Sequence, residues 1–288
     1  MDLSIIIVNY NTKRLLKQTI QSVIDTTKNI RYEIIVSDNN STDGSIEMVE
    51  ECFSEVKLIK NKENLGFPKG NNVAIKEALG RYVLLLNSDT VVIDKCIEKC
   101  IKYMDIHNDV GVLGCKVVLK DGKLDHACKR GYPTPEASLL YMLKLHKVFP
   151  DNKKFGQYAL SYLDENQTNE VDSLTGAFMV LRREVINEVG LLDEDFFMYG
   201  EDIDWCFRIK EAGWKIVYYP EAKIIHYKGA SSKKKRLKTI YEFHRAMILF
   251  YNKHYVHKYN FVVTCCVYLG VILKLMFSLF INLFKKRG

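Results

Sequence analysis

The sequence has no Cys-x-x-Cys pair and no His/Cys cluster at zinc spacing, which removes zinc ribbons, zinc fingers and dithiol redox centres. It has neither G-x-G-x-x-G after a first strand nor G-x-x-x-x-G-K-[ST], so the usual dinucleotide and P-loop phosphate signatures are missing. No internal repeat, low-complexity linker or Pro/Gly-rich hinge occurs before residue 228, and one continuous domain is the simplest organisation. The chain opens on a strand-like run and not on a secretory leader, so its eight cysteines read as reduced thiols of a cytosolic protein.

What is present is an ordinary globular composition, 48% hydrophobic and 27% charged, for which disorder is not the default. The charge is unevenly placed. Residues 228–288 hold thirteen Lys/Arg against Glu242 alone, a net +12 within a total of +7, which leaves residues 1–227 at −5. An acidic body with a basic tail assigns any anionic partner, phospholipid headgroups or nucleic acid, to the tail. A merely solvated tail fits the same numbers.

Apolar, β-branched runs at 4–8, 33–36, 56–59 and 82–86 predict strands covered on both faces. Helical patterns at 12–25, 44–52 and 69–79 lie between them, giving β-α-β-α-β-α-β, half of a doubly wound sheet. Such sheets bind ligands beyond the carboxyl ends of their strands. There the sequence turns polar three times: Asn9, Tyr10 and Asn11; Ser37, Asp38, Asn39 and Asn40; Asn87, Ser88 and Asp89. Turn chemistry explains any one of these, whereas three together predict a polar cleft. The loop 64–72 (NLGFPKGNN) adds two glycines, a lysine and amides at a helix start, which suits an anionic or ribose-bearing ligand.

In the second half, 171–180 reads as a strand, a short helix follows from Arg183, and Glu201, Asp202 and Asp204 open a helix that runs to about Ala212 before Gly213. Acidic residues in a first helical turn are favoured by the macrodipole, which accounts for one or two of the three. The aromatics Phe196, Phe197 and Tyr199 leading into them fit a sugar held beside a carboxylate. A strand-like pair, 215–219 and 223–227, ends near His226, a residue that alone would read as a structural hydrogen bonder.

Seven spaced motifs, SIIIVNYN (4–11), VSDNNSTDGS (36–45), NLGFPKGNN (64–72), LLLNSD (84–89), LTGAFMVLRR (174–183), LLDEDFFMYGEDIDWCFRIKEAGW (191–214) and IIHYKGAS (224–231), resemble the family 2 glycosyltransferases of the GT-A fold, in their rhamnosyltransferase-like branch. The resemblance implies an α/β, Rossmann-like, mostly parallel doubly wound sheet with amphipathic and hydrophobic C-terminal helices. Residues 1–231 would form the catalytic domain, 1–95 binding the nucleotide sugar and 96–231 the acceptor and base, and 232–288 a membrane-associating tail. Asn9, Asn11, Asp38 and Asn40 would bind the donor, with Asn64, Gly66, Lys69, Gly70 and Asn71 along it and Asn87 and Ser88 beside its diphosphate. Asp89 matches the last acid of the family's DXD metal motif, but the first position is Asn87, which leaves one carboxylate for the cation. His226 matches a further ligand in some relatives and tilts the site toward Mn²⁺ over Mg²⁺; either ion fits.

Asp202 matches the family's general base, with Glu201 supporting it or exchanging roles with it. Thr175, Gly176, Ala177, Phe197, Tyr199 and Trp205 would hold the acceptor. The implied reaction is inverting transfer from a dTDP- or UDP-linked sugar, with a lean to dTDP-rhamnose, onto a saccharide of bacterial-type cell-surface polysaccharide synthesis.

After Lys233, Lys234, Lys235 and Arg236, residues 238–255 form an amphipathic pattern, and 261–284 is an apolar run long enough to span a bilayer. Lys274, Ser278, Asn282 and Lys285 recur along one face of it, and basic residues flank both ends, which predicts a helix lying on the cytoplasmic leaflet or packing its polar side on a partner. A surface anchor suits a lipid-linked saccharide acceptor. The basic cluster lacks interleaved aromatics or a nucleic-acid module, so no nucleic-acid partner is expected. Nothing in the sequence fixes an oligomeric state. A sugar-nucleotide nucleotidyltransferase is the rival enzyme, but Asn9, Tyr10 and Asn11 stand where its Gly-rich basic loop belongs. A degenerate binding scaffold is the non-enzymatic rival, against which Asp89 and Asp202 both stand.

Overall fold

The computed structural model describes residues 1–228 and 236–284. The four apolar runs are β1 (Leu3–Asn9), β2 (Tyr32–Asp38), β3 (Lys57–Lys60) and β4 (Tyr82–Leu86). Between them lie α1 (Lys13–Thr26), α2 (Ser45–Cys52) and α3 (Gly66–Lys76). β1 pairs in parallel with β2 and β4, and β2 with β3. Ile5, Ile6 and Ile7 are successive and all fully buried, which requires both faces of β1 to be covered. Each such side chain contributes about 1.5–3 kcal/mol of hydrophobic stabilisation.

The sheet continues through β5 (Thr90–Val92), β6 (Val110–Leu119), β7 (Asn169–Glu170), β8 (Phe178–Arg182) and β9 (Lys215–His226). Its order is β3-β2-β1-β4-β8-β6-β9-β5, with β7 beside β9. β8 runs antiparallel to β4 and β6, while β6 and β9 are parallel, so a parallel first half joins a mixed second half.

Two expected elements differ. The strand anticipated from 171 forms only at Phe178, because the chain first makes an isolated bridge at Ser173 and then turns at 175–178, where the Phe178 N–H donates to the Thr175 carbonyl at 3.3 Å. The strand pair near His226 is one strand, β9, whose register against β6 shifts between Cys115 and Lys116, opposite Tyr219 and Lys223. Pro220 lies in that gap, where its missing N–H breaks the ladder without ending the strand.

The remaining helices are α4 (Cys96–Ile106), α5 (Pro135–Met142), α6 (Leu145–Val148), α7 (Arg183–Val189), α8 (Glu201–Glu211), α9 (Arg236–His254) and α10 (Phe261–Phe284). α9 is built into the body. Phe196, Ile203 and Phe207 form a second apolar cluster with Ala246, Phe250, Tyr251 and Tyr255. Asp204, fully buried, accepts from Arg208 Nε at 2.9 Å and His254 Nε2 at 2.7 Å, and lies 2.8 Å from Lys253 Nζ.

α10 is long and apolar enough to cross a membrane. Leu269, Leu273, Met276, Phe277 and Phe280 are exposed on its outer flank. Lys274, Ser278 and Asn282 are half-buried on the other flank. Of the expected basic clusters, Lys233, Lys234, Lys235 and Lys285, Lys286, Arg287 lie outside the described residues, as does 229–231 of the motif ending there.

Candidate active site

Local hydrogen bonding decides which polar side chains at the strand ends meet open space. Asn9 Nδ2 donates to Asp38 Oδ2 at 2.7 Å and Ser41 Oγ at 3.1 Å, and Asp38 Oδ1 accepts from the Ser41 N–H at 2.7 Å. Asn11 and Asn40 adopt positive φ, 54° and 63°, which asparagine tolerates better than most residues. Asn11 Oδ1 accepts from the Thr42 N–H at 2.8 Å. Asn9, Asn11 and Asp38 thus tie the loops after β1 and β2 together, Asn40 is exposed, and none of these four donor-side candidates borders the main cavity.

The start of α3 divides similarly. Lys69 is exposed away from the cavity and Asn71 donates to the Phe67 carbonyl at 2.8 Å. Gly70 allows α3 to approach β1, since an added Cβ would lie 3.1 Å from Val8 Cγ1. Asn64 and Gly66 do border the cavity, with Tyr10, Asn39, Asn87, Ser88 and Asp89. This cavity, of about 1020 Å³, stands at the upper limit of the usual size of a ligand site.

On its other side stand Thr175, Gly176, Ala177, Phe197, Tyr199, Glu201 and Asp202. Trp205 does not. Its indole is fully buried and donates from Nε1 to the Gly190 carbonyl at 2.9 Å, so it serves the core and offers no ring face to a sugar. The two halves are stitched together: the Phe67 N–H donates to the Phe197 carbonyl at 2.9 Å and the Asn87 N–H to the Ala177 carbonyl at 3.1 Å. One residue earlier, the Gly176 N–H donates to Asp202 Oδ2 at 3.3 Å. Backbone thus links Asp89 to Asp202 across a single cavity.

Asp89 Oδ1 lies 3.0 Å from His226 Nε2, and Asn87 Nδ2 lies 3.5 Å from the same nitrogen. Asp125 flanks the ring's other side, with Oδ2 3.5 Å from Nδ1, and Lys228 bonds both Asp125 oxygens at 2.9 and 3.0 Å. Burial alone would lower the His226 pKa, but the Asp125 and Asp89 carboxylates outweigh it and hold it at about 9. Asp125 is held well below the usual carboxylate range, because His226 and Lys228 outweigh its own burial.

A divalent cation fits this pair by spacing, taking the place of the proton shared between Nε2 and the carboxylate. Adjacent ligands of an octahedral ion bound at about 2.1 Å stand roughly 3 Å apart, as Asp89 and His226 do. Among the described residues no group of three or more His, Cys, Asp or Glu side chains forms a metal cage, so diphosphate oxygens and water would have to complete the shell.

Asp202 Oδ2 accepts from Arg130 Nη2 at 2.7 Å, with both side chains largely buried. Arg130 Nη2 also donates to the Leu174 carbonyl at 2.7 Å. Glu201 is buried beside this pair, and its Oε2 has no hydrogen-bond partner among the described residues. Burial first, then the Asp202 charge, pushes its pKa well above the usual carboxylate range. Two adjacent acids therefore stand in different electrostatic environments, one paired with a guanidinium and one favouring its neutral form.

Arg130 and Asp125 are absent from the motif reading. Both lie between β6 and α5, where no spacing pattern marks them. The available signal was indirect: a buried carboxylate needs a cation, and a buried imidazole that donates needs an acceptor.

A sheet of this order, with a polar cleft at its parallel strand ends and an acid-led helix across the cavity from an Asp-His pair, has the fold of GT-A glycosyltransferases. A mannosyltransferase from Pyrobaculum calidifontis, solved with GDP-Man and Mn²⁺, shares it over 99% of this chain and 88% of its own, with a TM-score of 0.61 at 15% identity. The chain belongs to the glycosyltransferase-like family 2, whose sequence profile matches residues 2–239.

Among its relatives, the O-antigen biosynthesis protein RfbC of Myxococcus xanthus is 27% identical over 240 residues, 79% of this chain but 17% of that much longer protein. The N-acetylglucosaminyl-diphospho-decaprenol L-rhamnosyltransferase of Mycobacterium tuberculosis is 26% identical over 229 residues, 75% of this chain and 73% of that one.

Proposed function

We propose that this chain is an inverting, divalent-cation-dependent glycosyltransferase that moves a sugar from a nucleoside diphosphate, dTDP or UDP, to a lipid-linked saccharide at the cytoplasmic face of a membrane. The observation that carries it is the convergence of Asp89 and Asp202 on one cavity. The cation, when bound at Asp89 and His226, would supply charge neutralisation for the departing diphosphate.

The protein's own residues supply the rest. Asp202 takes the proton of the acceptor hydroxyl as its oxygen bonds to the anomeric carbon, while the opposite carbon–oxygen bond breaks and its electron pair leaves with the nucleoside diphosphate. Attack from the face opposite the leaving group inverts the configuration. Arg130 and the Gly176 N–H fix Oδ2, so the carboxylate is oriented before the acceptor arrives. Glu201, kept neutral beside it, is a hydrogen-bond donor for an acceptor oxygen. Rhamnose as the sugar and a diphospholipid-linked acceptor are favoured by the activity named for the Mycobacterium tuberculosis relative, and the exposed apolar flank of α10 supports a membrane setting.

The test is a donor screen that measures nucleoside diphosphate release with Mg²⁺ or Mn²⁺, with Asp202→Asn as control. Turnover unchanged by that substitution would remove the base assignment, and release without any cation would remove the metal.

A further inference from the structure

α10 is apolar along its outer flank, yet the lysine at its middle turns inward. Lys274 is half-buried and borders the main cavity, with Nζ 5.3 Å from the centre of the Phe243 ring. Among the described residues it has no carboxylate within ion-pair distance. A lysine removed from water without a counter-charge is costly unless an anion completes it.

Its position relates it to the reacting groups. The Phe243 ring meets the Tyr199 ring edge-on at 5.6 Å, and Tyr199 precedes the Gly200-Glu201-Asp202 turn. Lys238 borders the same cavity, over the Phe197 ring at 3.6 Å, and it too has no carboxylate partner among the described residues. Of the acids bordering the cavity, Glu242 is engaged with Arg245 at 3.3 Å, Glu136 with Lys154 at 3.6 Å, Asp202 with Arg130, Asp125 with Lys228 and Asp89 with His226, while Glu201 forms no ion pair among the described residues and its burial favours the neutral form. Outward from the lysines the wall is apolar, formed by Leu139 and Met142 of α5, Met247 and Phe250 of α9, and Val263 and Val267 of α10. Leu139 and Met142 of α5 and Val262 of α10 line the cavity and are exposed, so this wall reaches the surface at both helices.

We propose that this end of the cavity binds a long-chain lipid phosphate, with Lys274 on the phosphate, Lys238 beside it, and the hydrocarbon chain leaving between α5 and α10. The proposal rests on the lipid-linked acceptor reading and deepens it: α10 is then a wall of the acceptor site as well as an anchor, and Lys274 is a specificity residue for the carrier.

The test uses the full chain in non-ionic detergent with three probes: farnesyl diphosphate, farnesol and inorganic diphosphate. Farnesyl diphosphate should bind at least about tenfold tighter than either other probe, since it alone satisfies both the lysine and the apolar wall. Lys274→Met should weaken farnesyl diphosphate about tenfold and leave farnesol unchanged, and Lys274→Arg should restore it. Gly270→Leu is a second variant, because Gly270 borders the cavity and an added Cβ there meets nothing within 4 Å. It should weaken farnesyl diphosphate and farnesol together without lowering the melting temperature.

Inorganic diphosphate binding as tightly as farnesyl diphosphate, equal affinity in Lys274→Met, or a Gly270→Leu variant that binds normally would each overturn the site. Carrier binding that follows this pattern without any sugar transfer would leave the site standing and remove the transferase reading, so the two failures are distinct.

Discussion

Arg130 Nη2 stands 2.7 Å from Asp202 Oδ2, and the same nitrogen holds the Leu174 carbonyl at 2.7 Å, so one guanidinium fixes both the carboxylate and the strand approach to the Thr175-Gly176-Ala177 turn. Removing it leaves a largely buried carboxylate without its cation. Arg130→Met should lower stability by about 3–5 kcal/mol, and Arg130→Lys, which keeps the charge, by less. With the fold intact, Arg130→Lys should lower kcat more than it raises the donor KM, because orientation of the base is lost while the donor side is untouched. Thermal melts and steady-state kinetics read both effects.

Asp202→Asn removes the proposed proton acceptor but keeps the shape and the Arg130 contact. Expected is a loss of about 10²–10⁴ in kcat with the nucleoside diphosphate still bound. Binding measured by titration calorimetry separates this from a misfolded site.

Glu201 gives a pH signature. Its pKa is raised in the folded protein above the ordinary value of 4.5. Between the unfolded and folded values the native state holds the extra proton, so stability falls as pH rises from that ordinary value toward the folded one. Glu201→Gln, which cannot ionise, should match the parent near pH 5 and become progressively more stable than it toward pH 8. Melting temperatures across that range check the divergence, and parallel curves would contradict it.

Asp204 titrates in the opposite sense. Burial would raise its pKa, but His254, Lys253 and Arg208 hold it down at about 2. Its contribution is fully present above the ordinary value of 3.8 and is lost as pH falls toward 2. Asp204→Asn should therefore destabilise the protein by about 3–5 kcal/mol at neutral pH. Hydrogen exchange should rise first along α9, the helix that Asp204 fastens to α8.

Truncation separates the two tail helices. Ending the chain at residue 260 removes α10 and leaves the Phe207–Phe250 cluster, so the fold should persist while liposome binding and transfer to a lipid-linked acceptor fall. Ending it at 237 also exposes Phe196, Ile203 and Phe207, and the product should be insoluble. Flotation with liposomes and solubility distinguish the two.

How much of this was legible in the sequence depended on distance along the chain. β1 to β4 and the helices between them follow from local periodicity, and the acids at 89 and 202 stood in recognisable motifs. Which donor-side residues face open space did not follow. Asn9 and Asp38 lie opposite each other in paired strands and satisfy one another, a choice set by register. Trp205 sat in the right motif but on the core-facing side of α8. Arg130 was invisible because its partner is 72 residues away. Lys274 was read as one step of a polar stripe, and only the packing of α10 beside α9 turns it toward the cavity.

Gly66 holds φ +79°, and an added Cβ there would lie 2.4 Å from the Phe197 carbonyl oxygen. The ribbon proposed to cradle the donor is thus pressed directly against the one proposed to meet the acceptor. Drift in either is constrained by its neighbour, so descendants that exchange the sugar they carry should show compensating changes at 192–200, and grafting 64–72 alone from a cousin should fail where a paired graft succeeds.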